Sequence, residues 1–568
     1  MRFLSVITLA CMSVLSVKGQ NLESIGKEKP LSVTGSISVN QILYGVNGIE
    51  SRRDPYTYYA SGNINFSLYG WSVPLSMSLS NQNTGFQQPF NQYSLHPNYK
   101  WVTGHFGYVS MSYSPYTVSG HIFLGAGVDL APEGKWKFSA LYGRFLKAVE
   151  PDSTGYNTAF KRMGYGFKAS YGEGGNFAEV ILFHAKDDIN SISYIPDSLD
   201  ILPQENLVVS IGGGKKLFDN FFVKAELSIS ALSKDIRAEE ASQGNVLSKA
   251  NFLYTPRVSS SYYNAFKSSL GYQEEGYSIG VAYERIAPQY RTLGAYFFNN
   301  DLENITANGA VAMLQGKMNV AVNAGVQRDN LDKSKISTMR RLVGSVNIGY
   351  APSQKLNLGL SYSSFQTYTN IRSQFVDVNQ LTPYDNLDTL NFTQISRNAT
   401  LTGVYMFGNN ENRRQTLNTN FTVQDAADKQ GGIAQNSGVR FYNANTAYAL
   451  NLVPQNMMVS VSFNASFNQG AGMNTKTIGP TAAVSKSFFE KKLRTTLSSS
   501  YNSSYNNSER VSTIINGRLN GGMIVQKKHN INVGLVVVNR NSNAPEGASQ
   551  SFTEFTGTMG YSYSFGTN

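Results

Sequence analysis

The chain has 568 residues with a formal net charge of +11, and 15% of them are charged, 41% hydrophobic and 12% aromatic. Charged residues make up about 25% of average globular proteins, and here Ser, Thr, Asn, Gln, Tyr and 51 Gly take their place. The 34 Tyr and 32 Phe exclude a disordered chain. A helical membrane protein is excluded because no apolar run of about 18 residues follows the N-terminus. The basic residues are dispersed, so nucleic acid is not an expected partner.

Residues 1–19 are predicted to be a signal peptide. Arg2 precedes an apolar stretch from Phe3 to Val17, and Gly19 provides a small residue at the expected cleavage point. The alternative is a lipoprotein signal ending at Cys11, which Thr8 disfavours because a lipobox usually has Leu there. Cleavage near Gly19 would remove the single cysteine, so neither thiol catalysis nor a disulfide is expected in the mature chain.

Strands are predicted along most of the remaining chain, because apolar and polar residues alternate with a period of two. Around 219–232, for example, Phe221, Val223 and Leu227 fall on one face and Lys224 and Glu226 on the other. A tilted strand needs roughly 9–11 residues to cross a bilayer, and the alternating stretches are at least that long. Their polar faces carry mostly Ser, Asn, Thr and Gly, which is typical of the wall of a water-filled lumen.

Short and long links alternate between these strands, as they do between the periplasmic turns and external loops of membrane barrels. The sequence therefore predicts an all-β fold: one antiparallel up-and-down transmembrane barrel over 31–568, preceded by a short periplasmic segment at 20–30. We count 24 strands, or 26 if the segment 83–117 contains a hairpin. The expected location is the outer membrane of a Gram-negative cell, with its lipid as the surrounding partner.

The alternation also predicts which side chains line the lumen. In the strand after Ala159, Met163, Tyr165 and Phe167 should meet lipid. The basic residues on the predicted lumen face are Arg162, Lys168, Lys224, Lys267, Arg341, Lys355 and Arg494. Glu226 and Glu284 are the acids on the same faces. We therefore expect a mildly electropositive lumen with a weak preference for anions.

A barrel of about 24 strands without a filler would leak, and no plug domain precedes the first predicted strand. The segment 83–117 is the longest interruption of the pattern and brings more aromatic surface than a solvated loop needs. We predict that it packs against the inner wall and narrows the passage through Phe86, Phe90, Tyr93, Tyr99, Trp101, Phe106 and Tyr108. The alternative is an ordinary extra hairpin. The segment 233–260 is a second candidate, although it is polar and expected to be external.

No enzymatic activity, cofactor or metal is predicted. Gly276–Gly280 matches the G-x-S-x-G pattern of hydrolases, but Ser278 lies in an alternating strand with no helix after it, so a small lumen-facing serine is the better interpretation. The five histidines are dispersed and lack metal-ligand spacing.

The C-terminus, with Tyr561, Tyr563 and Phe565 at alternate positions, resembles the terminal strand signal of bacterial outer-membrane barrels. It departs from that signal because Gly566 to Asn568 follow the last aromatic residue. With its Tyr-, Asn- and Ser-rich strands, the chain resembles the large barrels of Bacteroidota. This resemblance implies insertion by the barrel-assembly machinery. The chain is also similar in barrel size to TonB-dependent receptors, which place a plug domain of about 130 residues ahead of the barrel.

Two functions fit these observations. The first is a channel or transport pore for polar solutes, whose lumen is narrowed by an inward-folded loop. The second is a non-conducting scaffold, or a component of a secretion or surface-assembly complex, whose lumen is closed by its own loops or by a protein partner.

Overall fold

The computed structural model describes residues 31–68, 71–81, 92–151, 158–193, 201–241, 253–296, 298–334, 340–368, 392–408, 410–430, 433–434, 439–470, 473–543 and 550–566. The predicted signal peptide and the segment 20–30 lie outside these residues.

The described chain is almost entirely β-strand. The first half consists of β1 (Leu31–Asn47), β2 (Tyr56–Leu68), β3 (Trp71–Ser80), β4 (Gln92–Leu95), β5 (Asn98–Tyr99), β6 (Val102–Ser110), β7 (Val118–Ser119), β8 (Ile122–Leu130), β9 (Trp136–Leu146), β10 (Lys161–Glu173), β11 (Asn176–Asp188), β12 (Glu205–Leu217), β13 (Phe221–Ser233), β14 (Ser260–Glu274) and β15 (Tyr277–Ile286). The second half consists of β16 (Gly294–Ala295), β17 (Leu302–Met313), β18 (Met318–Arg328), β19 (Arg340–Ser353), β20 (Leu356–Tyr368), β21 (Phe392–Phe407), β22 (Arg413–Gln430), β23 (Ile433–Ala434), β24 (Val439–Leu452), β25 (Met457–Gly470), β26 (Met473–Phe488), β27 (Leu493–Asn506), β28 (Glu509–Val525), β29 (His529–Ser542) and β30 (Phe552–Phe565). A single 3-10 turn covers Ile189–Ser191, and no helix of the described residues is long and apolar enough to cross a membrane.

The strands form one closed antiparallel barrel. Each wall strand pairs with its neighbour along the chain, and β1 closes the circle by pairing with β30 from Gly35↔Phe565 to Asn47↔Thr553. The wall has 26 strands, with β4 and β5 together filling one position. The alternative count is therefore the correct one, because residues 92–110 form a hairpin of the wall.

The two faces of the wall differ in polarity, as the alternation predicts. Exposed large apolar side chains occupy every second position, for example Leu227 and Ile229 in β13, and Val461 and Phe463 in β25. The positions between them carry mainly Ser, Asn, Thr and Gly. In a barrel surrounded by lipid the apolar face is the outward one, so the polar face lines the lumen.

Aromatic side chains form a girdle at the end of the barrel where the short turns lie. Trp71 stacks on Tyr99 with ring centroids 4.7 Å apart, Trp136 contacts Tyr171 at 4.9 Å, and Phe221 contacts Tyr272 at 4.8 Å. Such rings have an apolar body and a polar tip and lie at the boundary between hydrocarbon and headgroups. Outer-membrane barrels have short periplasmic turns and longer external loops, so we assign the short-turn end to the periplasm.

The facing of the strands predicts how single charges are tolerated. Leu401 is half-exposed on the outer face of β21, and its neighbour Thr402 lies on the inner face. We expect Leu401→Arg to lower the free energy of unfolding by about 2–4 kcal/mol, because the charge enters the hydrocarbon layer. Thr402→Arg, the matched control, should change it little. Guanidinium unfolding in lipid vesicles measures both, and equal losses would contradict this facing.

Candidate functional site

Two loops from the external end fold onto the inner wall of the barrel. We call residues 111–121, between β6 and β8, the first inner loop, and residues 287–301, between β15 and β17, the second inner loop. Each contributes a short strand, and β7 and β16 pair in parallel through Gly294↔Val118 and Ala295↔Ser119. The two loops therefore form one structural unit although about 170 residues separate them.

Hydrogen bonds and aromatic contacts hold the inner loops together. The Tyr290 hydroxyl donates to the Tyr116 carbonyl oxygen at 2.9 Å, and the Thr292 hydroxyl donates to the Thr117 carbonyl oxygen at 2.5 Å. The rings of Tyr290 and Phe298 are 5.0 Å apart. Since Tyr116 and Tyr290 are both almost fully buried, this contact is a small core within the lumen.

Apolar side chains attach the inner loops to the wall strands β8 to β13. The loop members of this cluster are Met111, Tyr113, Val118 and Leu293, and the wall members are Phe123, Leu141, Phe145, Ile181, Phe183, Ala185, Val208 and Leu232. Most of these side chains are less than 5% exposed, in a lumen that the alternation assigns to water. Burial of apolar surface at about 25 cal/mol per Å² makes this contact a strong one.

One glycine of the wall, Gly166, and one glycine of the second inner loop, Gly294, allow close contacts of the inner loops. A Cβ atom added to Gly166 would lie 3.0 Å from the Tyr113 ring, and one added to Gly294 would lie 2.5 Å from the Thr117 carbonyl oxygen. A larger residue at Gly166 would therefore separate the first inner loop from the wall, and one at Gly294 would separate the two inner loops. Glycine at these two positions therefore allows the close packing of the inner loops.

Asn206 is the polar anchor of the second inner loop. Its Oδ1 accepts a hydrogen bond from the Leu293 backbone nitrogen at 3.0 Å, and its Nδ2 donates to the Ser230 hydroxyl at 2.8 Å. The Ser230 hydroxyl in turn donates to the Arg291 carbonyl oxygen at 2.6 Å. Asn206, Ser230 and Leu293 are buried from solvent, and a buried polar group that loses its partner costs about 1–3 kcal/mol.

The first inner loop reaches two distant strands of the wall. The Tyr116 hydroxyl donates to Glu284 Oε1 of β15 at 2.5 Å, and Lys168 Nζ of β10 donates to the Tyr113 carbonyl oxygen at 3.1 Å. Burial, followed by the negative charge of Glu284, raises the pKa of Tyr116 well above its usual range. The phenol therefore stays protonated and remains a donor. One short loop contacts both β10 and β15, as expected for a segment inside the concave wall.

The loop end next to β8 is also held in an uncharged state. His121 stacks on Tyr296 of the second inner loop with ring centroids 4.0 Å apart, and its Nδ1 lies 2.8 Å from the Ile122 carbonyl oxygen. Burial lowers the pKa of His121 to about 4. The imidazole is therefore neutral at physiological pH.

Charged side chains of the inner wall near the loops are paired. Arg162 contacts Asp187 through two hydrogen bonds of 2.7 and 2.9 Å, and Lys168 Nζ lies 2.8 Å from Glu179 Oε2. Lys267 Nζ lies 3.9 Å from Glu284 Oε1. The acids Asp187 and Glu179 were absent from the predicted lumen set, so the wall near the loops is closer to neutral than the sequence suggested.

The other predicted lumen bases lie in different surroundings. Lys224 lies on the inner face of β13, with its ammonium 5.9 Å from the Phe222 ring, and Arg494 Nε donates to Ser485 at 3.2 Å. Lys355 lies in the periplasmic turn before β20 and not on a strand, which corrects its predicted place. The side chain of Arg341 lies outside the described part of the chain. Arg518, which the prediction omitted, is on the inner face opposite Ser498.

The predicted plug is wrong for most of its residues. Tyr93, Phe106 and Tyr108 lie on the outer face of the hairpin formed by β4, β5 and β6, and Tyr99 and Trp101 lie near its periplasmic turn. Phe86 and Phe90 lie outside the described residues. Alternation continues through this segment despite its prolines, so its aromatic residues face lipid. Of the described residues of this segment, 92–117, the last part at 111–117 folds inward, as the start of the first inner loop.

The sequence interpretation missed the second inner loop and its anchors. The available signal was the aromatic content of a loop, because Tyr290, Tyr296 and Phe298 lie between two strands. Asn206 and Ser230 gave no signal, since they resemble the other polar residues of the lumen wall. In the segment 233–260, of which 242–252 lie outside the described residues, Tyr254 packs against Leu207 and Ala231 on the outer face.

The remaining motifs show no assembled catalytic or metal centre among the described residues. Ser278 lies on the inner face of β15, opposite Gln273 and Ala310. His105 Nε2 lies 2.8 Å from Asp129 Oδ2 and its Nδ1 lies 2.9 Å from His96 Nδ1. The described residues contain no group of three or more His, Cys, Asp or Glu side chains that could hold a metal ion.

The wall from β17 to β26 has a different character. Most of its described inner-face positions between the turns carry amides, hydroxyls and small residues, with hydrogen bonds such as Ser361 to Asn347 at 2.8 Å and Asn464 to Thr481 at 3.2 Å. The lumen therefore has one side that carries the inner loops and paired charges, and another side that is polar and uncharged.

The C-terminal strand lies where the sequence resemblance expects it. Tyr561, Tyr563 and Phe565 are on the outer face of β30 near its periplasmic end, beside His529 of β29. Recognition of these residues by the barrel-assembly machinery stays a prediction.

Comparisons with known proteins find similarity only at the level of solved structures. No family model matches the chain, and no curated protein matches it. Among solved structures, the copper transporter OprC is 10% identical, with 95% of this chain and 81% of that chain covered and a TM-score of 0.37. The FrpB iron transporter from Neisseria meningitidis is also 10% identical, with coverages of 94% and 82% and a TM-score of 0.37.

The P pilus usher translocation pore PapC is similar as well, at 10% identity, with coverages of 94% and 99% and a TM-score of 0.36. Similarities of this size do not transfer a function. The fold class stands on the closed wall itself, which is that of a large outer-membrane β-barrel.

The close fit between Gly166 and Tyr113 predicts how the inner loops can be released. Gly166→Val should push the Tyr113 ring away and raise the exposure of Val118, which is fully buried. In a chain with Cys11→Ser and Val118→Cys, maleimide labelling should be at least about tenfold faster with Gly166→Val. Gly349→Val is the matched control, because nothing lies within 4 Å of its added Cβ. Equal labelling rates would rule out the contact.

Proposed function

We propose that this protein is an outer-membrane channel for polar solutes, and that its two inner loops narrow the lumen along one side. The observation that carries the proposal is the contact of the two inner loops with each other and with the inner wall. The barrel around them is far wider than a small solute. With strands about 4.8 Å apart and tilted by about 40°, a circular wall of 26 strands is roughly 50 Å across.

The polarity of the lumen supports passage of polar molecules. The nine adjacent wall strands from β17 to β26 present mainly amides and hydroxyls to the lumen, and these groups exchange hydrogen bonds with water and solutes without strong binding. The apolar clusters on the described inner face lie under the inner loops, from Val109 of β6 to Leu302 of β17.

The charges of the lumen support weak ionic selectivity. Arg162, Lys168 and Lys267 near the inner loops are paired with acids, whereas Lys224, Arg494 and Arg518 have no ion-pair partner among the described residues. We therefore expect the unpaired bases to cause the weak preference of the channel for anions.

Conductance tests the proposed channel. Purified protein in planar bilayers should give a steady single-channel conductance. A barrel that assembles, as shown by heat-modifiable migration, but stays electrically silent would contradict the channel. That outcome would favour the alternative, a scaffold or secretion component whose lumen is closed by a protein partner.

The unpaired bases give a second test. The double variant Arg494→Gln and Arg518→Gln should shift the reversal potential in a salt gradient toward that of a non-selective pore. Lys476→Gln, on the outer face opposite Phe467, removes the same kind of charge outside the lumen and should leave the reversal potential unchanged. A cation preference in the unmodified protein would be the opposite of the expected result.

A further inference from the structure

Two clusters of charge lie on the outer face of the barrel near its external end, and both have the same form. In each, two arginines flank one acid on three adjacent strands. Glu303 of β17 lies between Arg285 of β15 and Arg328 of β18 in the strand register. Asp425 of β22 lies between Arg397 of β21 and Arg440 of β24. We refer to these as the first and second arginine triads.

Each triad keeps one positive charge in excess. In the second triad Arg440 Nε lies 3.2 Å from Asp425 Oδ1, and Arg397 Nη1 lies 3.8 Å from Asp425 Oδ2. The Arg397 and Arg440 side chains are nevertheless 61% and 60% exposed. In the first triad Arg328 contacts Glu303, which also accepts a hydrogen bond from Tyr283 at 2.8 Å. The guanidinium groups of Arg397 and Arg440 are therefore largely open to the surroundings of the barrel although both contact Asp425.

The triads face the membrane side of the wall and not the lumen. Arg397 is on the same face of β21 as Leu401 and Tyr405, and Arg440 is on the same face of β24 as Tyr448. These apolar and aromatic residues are exposed on the outer surface. The inner-face positions next to the triads carry Asn398 and Gln424 instead.

The spacing along the strands gives the height of the triads. Arg285, Arg397 and Arg440 each lie eight residues from an outward tyrosine near the periplasmic end of the same strand, namely Tyr277, Tyr405 and Tyr448. Eight residues of a strand tilted by about 40° rise roughly 20 Å. The apolar band of such barrels is about 25 Å tall, so the triads lie near its outer edge, at the level of the outer-leaflet headgroups.

We infer that the arginine triads bind the phosphate groups of anionic lipid headgroups in the outer leaflet. Paired guanidinium groups match phosphate geometry through charge-assisted hydrogen bonds. A charge at the edge of the hydrocarbon layer costs little when it meets an anionic headgroup, whereas nearer the midplane it would cost about 2–4 kcal/mol. Lys476, placed over Phe467 two strands beyond the second triad, adds a further cation on the same surface.

The binding test uses the full chain in vesicles of phosphatidylcholine that contain a minor fraction of the phosphorylated glycolipid lipid A. Native mass spectrometry after extraction counts the lipid A molecules that remain bound. We expect the double variant Arg397→Gln and Arg440→Gln to retain at least about fivefold less lipid A. The matched control is Arg494→Gln with Arg518→Gln, which removes two arginines from the inner wall and should bind as the unmodified protein does.

Two further arms identify the ligand. Dephosphorylated lipid A should be retained poorly by every variant, and excess inorganic phosphate should not displace lipid A. Displacement by phosphate would mean that the triads take a free anion, which contradicts a lipid site. Equal retention by the two double variants, or equal retention of the dephosphorylated lipid, would also overturn the inference.

Asp425→Asn separates lipid binding from a purely structural ion pair. If the arginines serve a lipid phosphate, removal of the competing carboxylate leaves binding equal to or greater than that of the unmodified protein. If lipid is instead lost to the same extent as in Arg397→Gln with Arg440→Gln, the intact triad and not its excess charge is needed, and the inference fails. Heat-modifiable migration verifies that each variant has assembled.

Discussion

The pairing of β1 with β30 is the interaction on which the rest of the structure depends. A strand in the membrane has no water for its backbone groups, so a sheet edge left open there would cost several kcal/mol for each unpaired group. The register from Gly35↔Phe565 to Asn47↔Thr553 removes both edges at once. Because the first and last strands pair antiparallel, the number of wall strands is even. The closed register also fixes which residues of every strand face outward and which face inward.

A closed wall of this size creates a second requirement, because its lumen is much wider than the solutes it would pass. The chain meets this requirement locally. Loops on opposite sides of eight wall strands, β8 to β15, join through β7 and β16, and the wall beneath them changes from polar to apolar at Ile181, Phe183 and Val208. Paired charges surround this contact, and the far wall remains uncharged. The lumen is therefore asymmetric: one side carries the inner loops and paired charges, and the opposite side carries mainly amides and hydroxyls.

Much of the fold could be predicted from the sequence, whereas the site could not. Strands such as β13 and β25 are evident from alternation, since the polarity of each residue indicates whether it faces lipid or the lumen. The hairpin at 92–110 was uncertain because Pro97 interrupts the pattern, although Phe106 and Tyr108 continue it. The inner loops depend on contacts between residues far apart in the chain, such as Asn206 with Leu293 and Gly166 with Tyr113. Periodicity carries no information about such contacts, and the aromatic residues of 83–117 suggested a plug where the wall itself needed them.

The central claim is that the anchored inner loops narrow the lumen. The most direct measurement is the exclusion of neutral polymers of increasing size from single channels, with Asn206→Leu compared with the unmodified protein. Loss of the Asn206 anchor should release the second inner loop and move the size limit to larger polymers, while Gly349→Val leaves it unchanged. An identical size limit for Asn206→Leu and the unmodified protein, with Val118→Cys shown by labelling to be exposed, would contradict the claim.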